Sequence, residues 1–248
     1  MASIIDSLEE TLQDVNSVPT LIVYTLPLFY TVMIMIGEVS SPFFPIIYVF
    51  TIILNFGFML KCTYNQRKGM PKLLPNFNII EVLYTGLKGI IALLPLSIIS
   101  GIIMGVSTSL LGNFISPDTT MFKIFYWLIN AICVSFATTG YLLYAKNFKI
   151  LDAYNVKYIF NYCADIMIAT FFMGIKLFII NLIILAPITY IIWILFGLPN
   201  PIATFFWCLV SVLNLAMIAH YYAQIDYEII AFNEDEIIEK EAKIAKKK

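Results

Sequence analysis

The chain has 248 residues, of which 60% are hydrophobic and only 12% are charged. A soluble globular domain is usually about a quarter charged, so this composition excludes an ordinary soluble domain. The net charge of -1 gives no support for a nucleic-acid-binding surface. The four cysteines are isolated in the sequence, which indicates neither a disulfide framework nor a metal cluster.

Residues 1–17 are predicted to form an amphipathic helix on the cytoplasmic side, because apolar and acidic residues fall on opposite faces. The apolar stripe consists of Ile4, Ile5, Leu8, Leu12 and Val15. The segment lacks the basic start of a cleavable signal peptide. We expect its acidic face to dock against the basic loop at 61–72, since an anionic leaflet would repel it.

Residues 18–225 form the predicted membrane domain. A hydrocarbon core about 30 Å thick needs about 20 apolar residues of helix to cross it. Uncharged stretches of this kind occupy residues 20–37, 42–60, 89–117, 124–145 and 177–224. The last contains a Gly-Leu-Pro-Asn-Pro break at 197–201 and is counted as two spans, which predicts six spans in all.

The basic residues predict the orientation of these spans. Twelve of the 15 lysines and arginines lie at 61–72, at 146–157 and in the tail from Lys240, and none lies in the opposite loops at 38–41, 107–120 and 197–201. Basic loops stay in the cytoplasm. We therefore predict a multi-pass protein of the cell membrane with both termini cytoplasmic.

Three predicted spans share a proline that is followed ten residues later by a glycine. The pairs are Pro27 and Gly37, Pro95 and Gly105, and Pro187 and Gly197. Each proline should kink its helix toward protein, where the freed carbonyl finds a partner, and each glycine should lie where the helix ends. Residues 76–85 and 154–163 are predicted interfacial helices before spans three and five. The predicted fold is an all-α bundle of three parallel repeats, each an interfacial helix plus two spans.

Residues 226–248 form a charged tail that is predicted to be helical, with acids at its start and lysines at its end, as the helix macrodipole favours. A solvated helix is the favoured interpretation. A helix that binds the lipid surface or a partner is the alternative.

A glycine and proline pattern marks the connection after span two. Gly57-Phe58-Met59-Leu60-Lys61 is followed by Gly69, by Leu74-Pro75-Asn76-Phe77-Asn78 and by Gly86. This pattern resembles an uncharacterised family of archaeal and bacterial polytopic membrane proteins, and the similarity covers residues 19–227. The family is similar in turn to the membrane domain of some glycerophosphodiester phosphodiesterases. Lys61 stands where that family usually has arginine, and Asn78 where it usually has an acid. The resemblance implies a helical membrane module and supplies no catalytic residue.

The same residues have a structural interpretation. Gly57 and Gly86 should let two helices approach closely. Pro75 should stiffen the loop and discourage helix before Asn76. Asn76 or Asn78 should cap the helix that follows.

Ionisable residues inside a bilayer are costly and are functional candidates by default. The candidates, with two intramembrane amides, are Lys176, Asp165, Lys88, Glu81, Asn130 and Asn181. Interfacial snorkelling and helix-bridging hydrogen bonds are the structural alternative. Lys176 is the strongest functional candidate, and we expect it to pair with Glu81 or Asp165. His220, the sole histidine, is assigned to an aromatic belt at the interface.

The sequence contains no phosphate-binding loop, dinucleotide fingerprint, nucleophile elbow or zinc-protease motif. We therefore expect no enzymatic activity, cofactor, metal or nucleic-acid partner. The expected partners are membrane lipids and either further copies or partner membrane subunits. The favoured function is a membrane module or scaffold, and the alternative is a transporter, permease subunit or channel for a small solute or lipid. A lipid-handling accessory, suggested only by the phosphodiesterase-linked domain, is the third hypothesis.

Overall fold

The computed structural model describes residues 4–13, 16–70, 72–197 and 200–231, and within these ranges helices are the only regular secondary structure. In chain order the helices are α1 (Ile4–Leu12), α2 (Ser17–Met35), α3 (Phe44–Arg67), α4 (Ile79–Phe114), α5 (Thr120–Asn147), α6 (Val156–Ile180), α7 (Ala186–Phe196) and α8 (Pro201–Ile225). A 3₁₀ turn (Ile150–Tyr154) precedes α6, one π-helical turn (Asn181–Leu185) joins α6 to α7, and another (Asp226–Ala231) follows α8.

Six helical segments in the described ranges are long and apolar enough to cross a membrane, namely α2, α3, α4, α5, the α6–α7 segment and α8. The predicted all-α membrane bundle is therefore confirmed. Most of the predicted tail, residues 232–248, lies outside the described residues.

Two long helices correct the sequence-based boundaries. The predicted interfacial segments 76–85 and 154–163 are not separate helices, because each runs without a break into the span that follows. Helix α4 has 36 residues, which corresponds to a length of about 54 Å against a hydrocarbon thickness of about 30 Å. Most residues of the two amphipathic segments therefore form the first turns of α4 and α6.

The proline–glycine pairs behave differently in the three spans. Helix α2 ends at Met35, and Gly37 follows with φ of 81° while the Glu38 amide bonds the Met33 carbonyl at 3.0 Å. This is the left-handed glycine end that was predicted. Gly197 likewise follows α7 with φ of 75°. The prediction for Gly105 is wrong, because α4 continues past it to Phe114.

Pro27 lies inside α2 and takes part in a hydrogen-bonded cluster with α3. Its carbonyl lies 2.8 Å from the Thr31 hydroxyl and 3.2 Å from the Thr51 hydroxyl, and the two hydroxyls are 2.9 Å apart. Thr51 belongs to α3, so the hydroxyl cluster ties the prolyl turn of α2 to its neighbour. Proline frees the carbonyl four residues earlier, that of Val23, so the predicted direction of the kink stays a prediction.

The chain divides into two compact units, Met1–Ile90 with Phe172–Ala223 and Ile91–Phe171 with Gln224–Lys248. The second unit packs the later turns of α4 against α5 and the 3₁₀ turn. The Tyr154 hydroxyl donates to the Ala92 carbonyl at 2.5 Å, and the Ser100 hydroxyl donates to the Cys133 carbonyl at 3.3 Å. Phe136 and Phe160 meet edge to face, with ring centroids 5.3 Å apart.

The core of the first unit lies between α2, α3, the start of α4 and the end of α8. Its buried side chains include Leu21, Tyr24, Phe58, Leu74, Val82 and Ala219. Tyr24 stacks obliquely on Phe58, with ring centroids 4.8 Å apart.

Helices α3 and α4 touch backbone to backbone at Gly57 and Gly86. A Cβ on Gly57 would lie 2.0 Å from the Val82 carbonyl oxygen, and a Cβ on Gly86 would lie 2.1 Å from the Ile53 carbonyl oxygen. Any side chain at either position would force the helices apart. This is the close approach that glycine allows in membrane helices.

We expect Gly57→Ala to lower the free energy of unfolding by about 2 kcal/mol or more, since inserted atoms in a packed site usually cost about 1–3 kcal/mol and backbone cannot move aside cheaply. Gly101→Ala in α4 is the matched control, because nothing lies within 4 Å of its Cβ position. The control should be neutral or stabilising by up to about 1 kcal/mol. Unfolding of the detergent-solubilised chain in increasing dodecyl sulfate would measure both, and equal stabilities would contradict the packing described here.

Candidate functional site

The α3–α4 connection (residues 68–70 and 72–78) packs against the core of the first unit. Leu73 and Leu74 are buried in the core, the Asn65 side-chain amide donates to the Leu73 carbonyl at 3.1 Å, and the Tyr24 hydroxyl donates to the Asn76 carbonyl at 3.1 Å. Gly69 has φ of 61° and ends α3. Gly69 and the Leu-Pro segment therefore shape a docked loop, and Pro75 is buried with it.

Glu81 is held by groups at the start of α4. It forms an ion pair with Lys61, while Asn78 caps the helix by accepting from the Glu81 amide at 3.3 Å. The Asn78 amide also donates to the Glu81 carboxylate at 3.4 Å. The Glu81 side chain is 54% exposed, so this pair contributes little to stability. Its geometric effect is to fix α4 against the end of α3.

His220 forms a buried polar link that the sequence did not reveal. It is fully buried in α8, with Nδ1 2.7 Å from the Ser7 hydroxyl and Nε2 2.8 Å from the Glu10 carboxylate. The assignment of His220 to an aromatic belt is therefore wrong. An ionised carboxylate only accepts, so Nε2 carries a proton, and the Ser7 hydroxyl can donate or accept as Nδ1 requires. The link is thus satisfied in either protonation state of the ring.

The Ser–His–Glu arrangement is a structural link and not a nucleophilic triad. Ser7 is 0% exposed, so no substrate carbonyl can reach its hydroxyl. A catalytic serine needs both a base and an open approach. The arrangement fastens α1 to α8.

Helix α1 docks through Ser7 and Thr11, which lie at one edge of its apolar stripe. Ser7 and Thr11 are buried, whereas Ile5 is 69% and Leu12 45% exposed. The predicted helix is present, and the apolar Ile5 and Leu12 are exposed together with the acidic Glu9. Docking of its acidic face on the basic loop stays a prediction.

Lys176 is half-buried in α6, with its ammonium 5.3 Å from the centroid of the Tyr221 ring on α8. A cation over an aromatic face is stabilised by the ring quadrupole. The predicted pairing of Lys176 with Glu81 or Asp165 stays a prediction. In the first unit, Glu81 is bound by Lys61.

Asn181 begins the π-helical turn and binds Asn214 of α8 reciprocally. The Asn214 amide donates to the Asn181 carbonyl oxygen at 3.0 Å, and the Asn181 amide lies 3.4 Å from the Asn214 oxygen and 2.8 Å from the Leu177 carbonyl. Pro187 lies just beyond this turn and cannot donate a backbone hydrogen bond. A π-helical turn therefore stands just before the proline, and the predicted kink stays a prediction.

A shallow groove of about 220 Å³ lies beside this amide pair. Its lining is mostly apolar and consists of Phe178, Asn181, Leu182, Ala186, Thr189, Trp207 and Val210. The geometry suits an acyl chain or an apolar helix face.

Three of the candidate residues predicted from the sequence remain, namely Lys88, Asp165 and Asn130. Lys88 is exposed near the start of α4, with its ammonium 4.3 Å from the Tyr84 ring centroid one turn earlier. Asp165 is exposed on α6, and Asn130 is half-buried on α5. In α3, the Asn55 side-chain oxygen is buried with no hydrogen-bond partner within the described ranges. Among the described residues, no cluster of histidine, cysteine and acidic side chains has metal-binding geometry.

The fold defines a multi-pass α-helical integral membrane protein whose first unit carries its polar groups at helix junctions. No family model, curated protein or solved structure matches the chain.

We expect Glu10→Gln to loosen α1 by about 1 kcal/mol, because it weakens a hydrogen bond between a partly exposed carboxylate and a buried imidazole. Amide hydrogen exchange in Ile4–Leu12 should accelerate about fivefold. Glu9→Gln is the matched control, since it makes the same charge change at an exposed neighbouring position. Equal exchange rates in the two variants would show that the His220 link does not hold the helix.

Proposed function

We propose that the chain is a non-enzymatic module of the cell membrane, with both ends in the cytoplasm, that organises the surrounding lipid and packs with further copies or partner subunits. The prediction of three parallel repeats belongs to this proposal. Its support is the recurring proline–glycine pair, which ends a helix at Gly37 and again at Gly197.

The observation that carries the proposal is the reciprocal pair of Asn181 and Asn214. Amides that conduct a solute must exchange their partners with it, whereas these two amides bind one another across two helices. Such bonds contribute about 0.6–2 kcal/mol to helix association in membranes. The Thr31 and Thr51 hydroxyls likewise donate to the Pro27 carbonyl, and the bond from Thr51 joins α3 to α2.

The groove beside the amide pair supports the same conclusion. Its apolar lining offers dispersion contacts and little hydrogen bonding, which suits hydrocarbon better than a hydrated solute. The glycine contact between α3 and α4 adds a rigid frame. A module that presents apolar surface on a rigid frame is suited to packing within the bilayer.

One observation favours the alternative of a transporter, permease subunit or channel. The π-helical turn Asn181–Leu185 interrupts a long span, and such turns are frequent at functional sites. Under this alternative, the amide pair would open during transport and Asn181 would contact the solute.

Proteoliposomes separate the two functions. We expect vesicles that contain the protein to retain entrapped K⁺ and a neutral sugar as long as protein-free vesicles do.

Copies labelled with donor or acceptor dyes at Ser40→Cys should show energy transfer that falls when unlabelled copies are added. The variant with Asn181→Leu and Asn214→Leu should be less stable by about 1 kcal/mol and still self-associate. Solute flux through the wild type that this variant loses would establish transport instead.

A further inference from the structure

We draw no further inference here: the strongest candidate, the exposed face of α4 that carries Gly101 and Gly105, is a stripe of small residues, and nothing in the described part of the chain shows what covers it.

Discussion

The backbone contact between Gly57 and Gly86 determines the arrangement of the first unit. Helices α3 and α4 run antiparallel through a short connection, so the contact at these glycines also fixes their neighbours. Lys61, one turn beyond Gly57, then reaches Glu81, which precedes Gly86. Two leucines of the connection are buried in the core, and the Tyr24 hydroxyl donates to the Asn76 carbonyl beside them. The glycine contact, the ion pair and the docked loop therefore all join the end of α3 to the start of α4.

Hydrocarbon determines how the remaining polar groups are used. With no water in the bilayer core, a hydroxyl or amide that lacks a partner within the protein is costly. Several hydroxyls bond the carbonyl one turn earlier in their own helix, including those of Thr25, Thr63, Thr85, Ser135 and Thr139. Such local bonds make these residues compatible with lipid without creating a site. The pairs that cross between helices, such as Asn181 with Asn214, are the ones that specify the packing.

The sequence predicted those features of the fold that depend on a single segment of the chain. Runs of apolar residues located the spans, and glycine located the ends of α2 and α7. The prediction that a helix ends at Gly105 was wrong, because a glycine permits a helix end without requiring it. The apolar residues after Gly105 continue α4. The link from His220 to Ser7 joins positions 213 residues apart, and no local pattern reports such a pairing.

Helix α1 shows a further limit of amphipathic patterns. The pattern separates an apolar face from a polar one, but it does not state which medium each face meets. In a soluble protein the apolar face turns inward, because water lies outside. Here Ser7 turns inward to a buried histidine while Ile5 and Leu12 stay exposed, as suits a helix beside lipid.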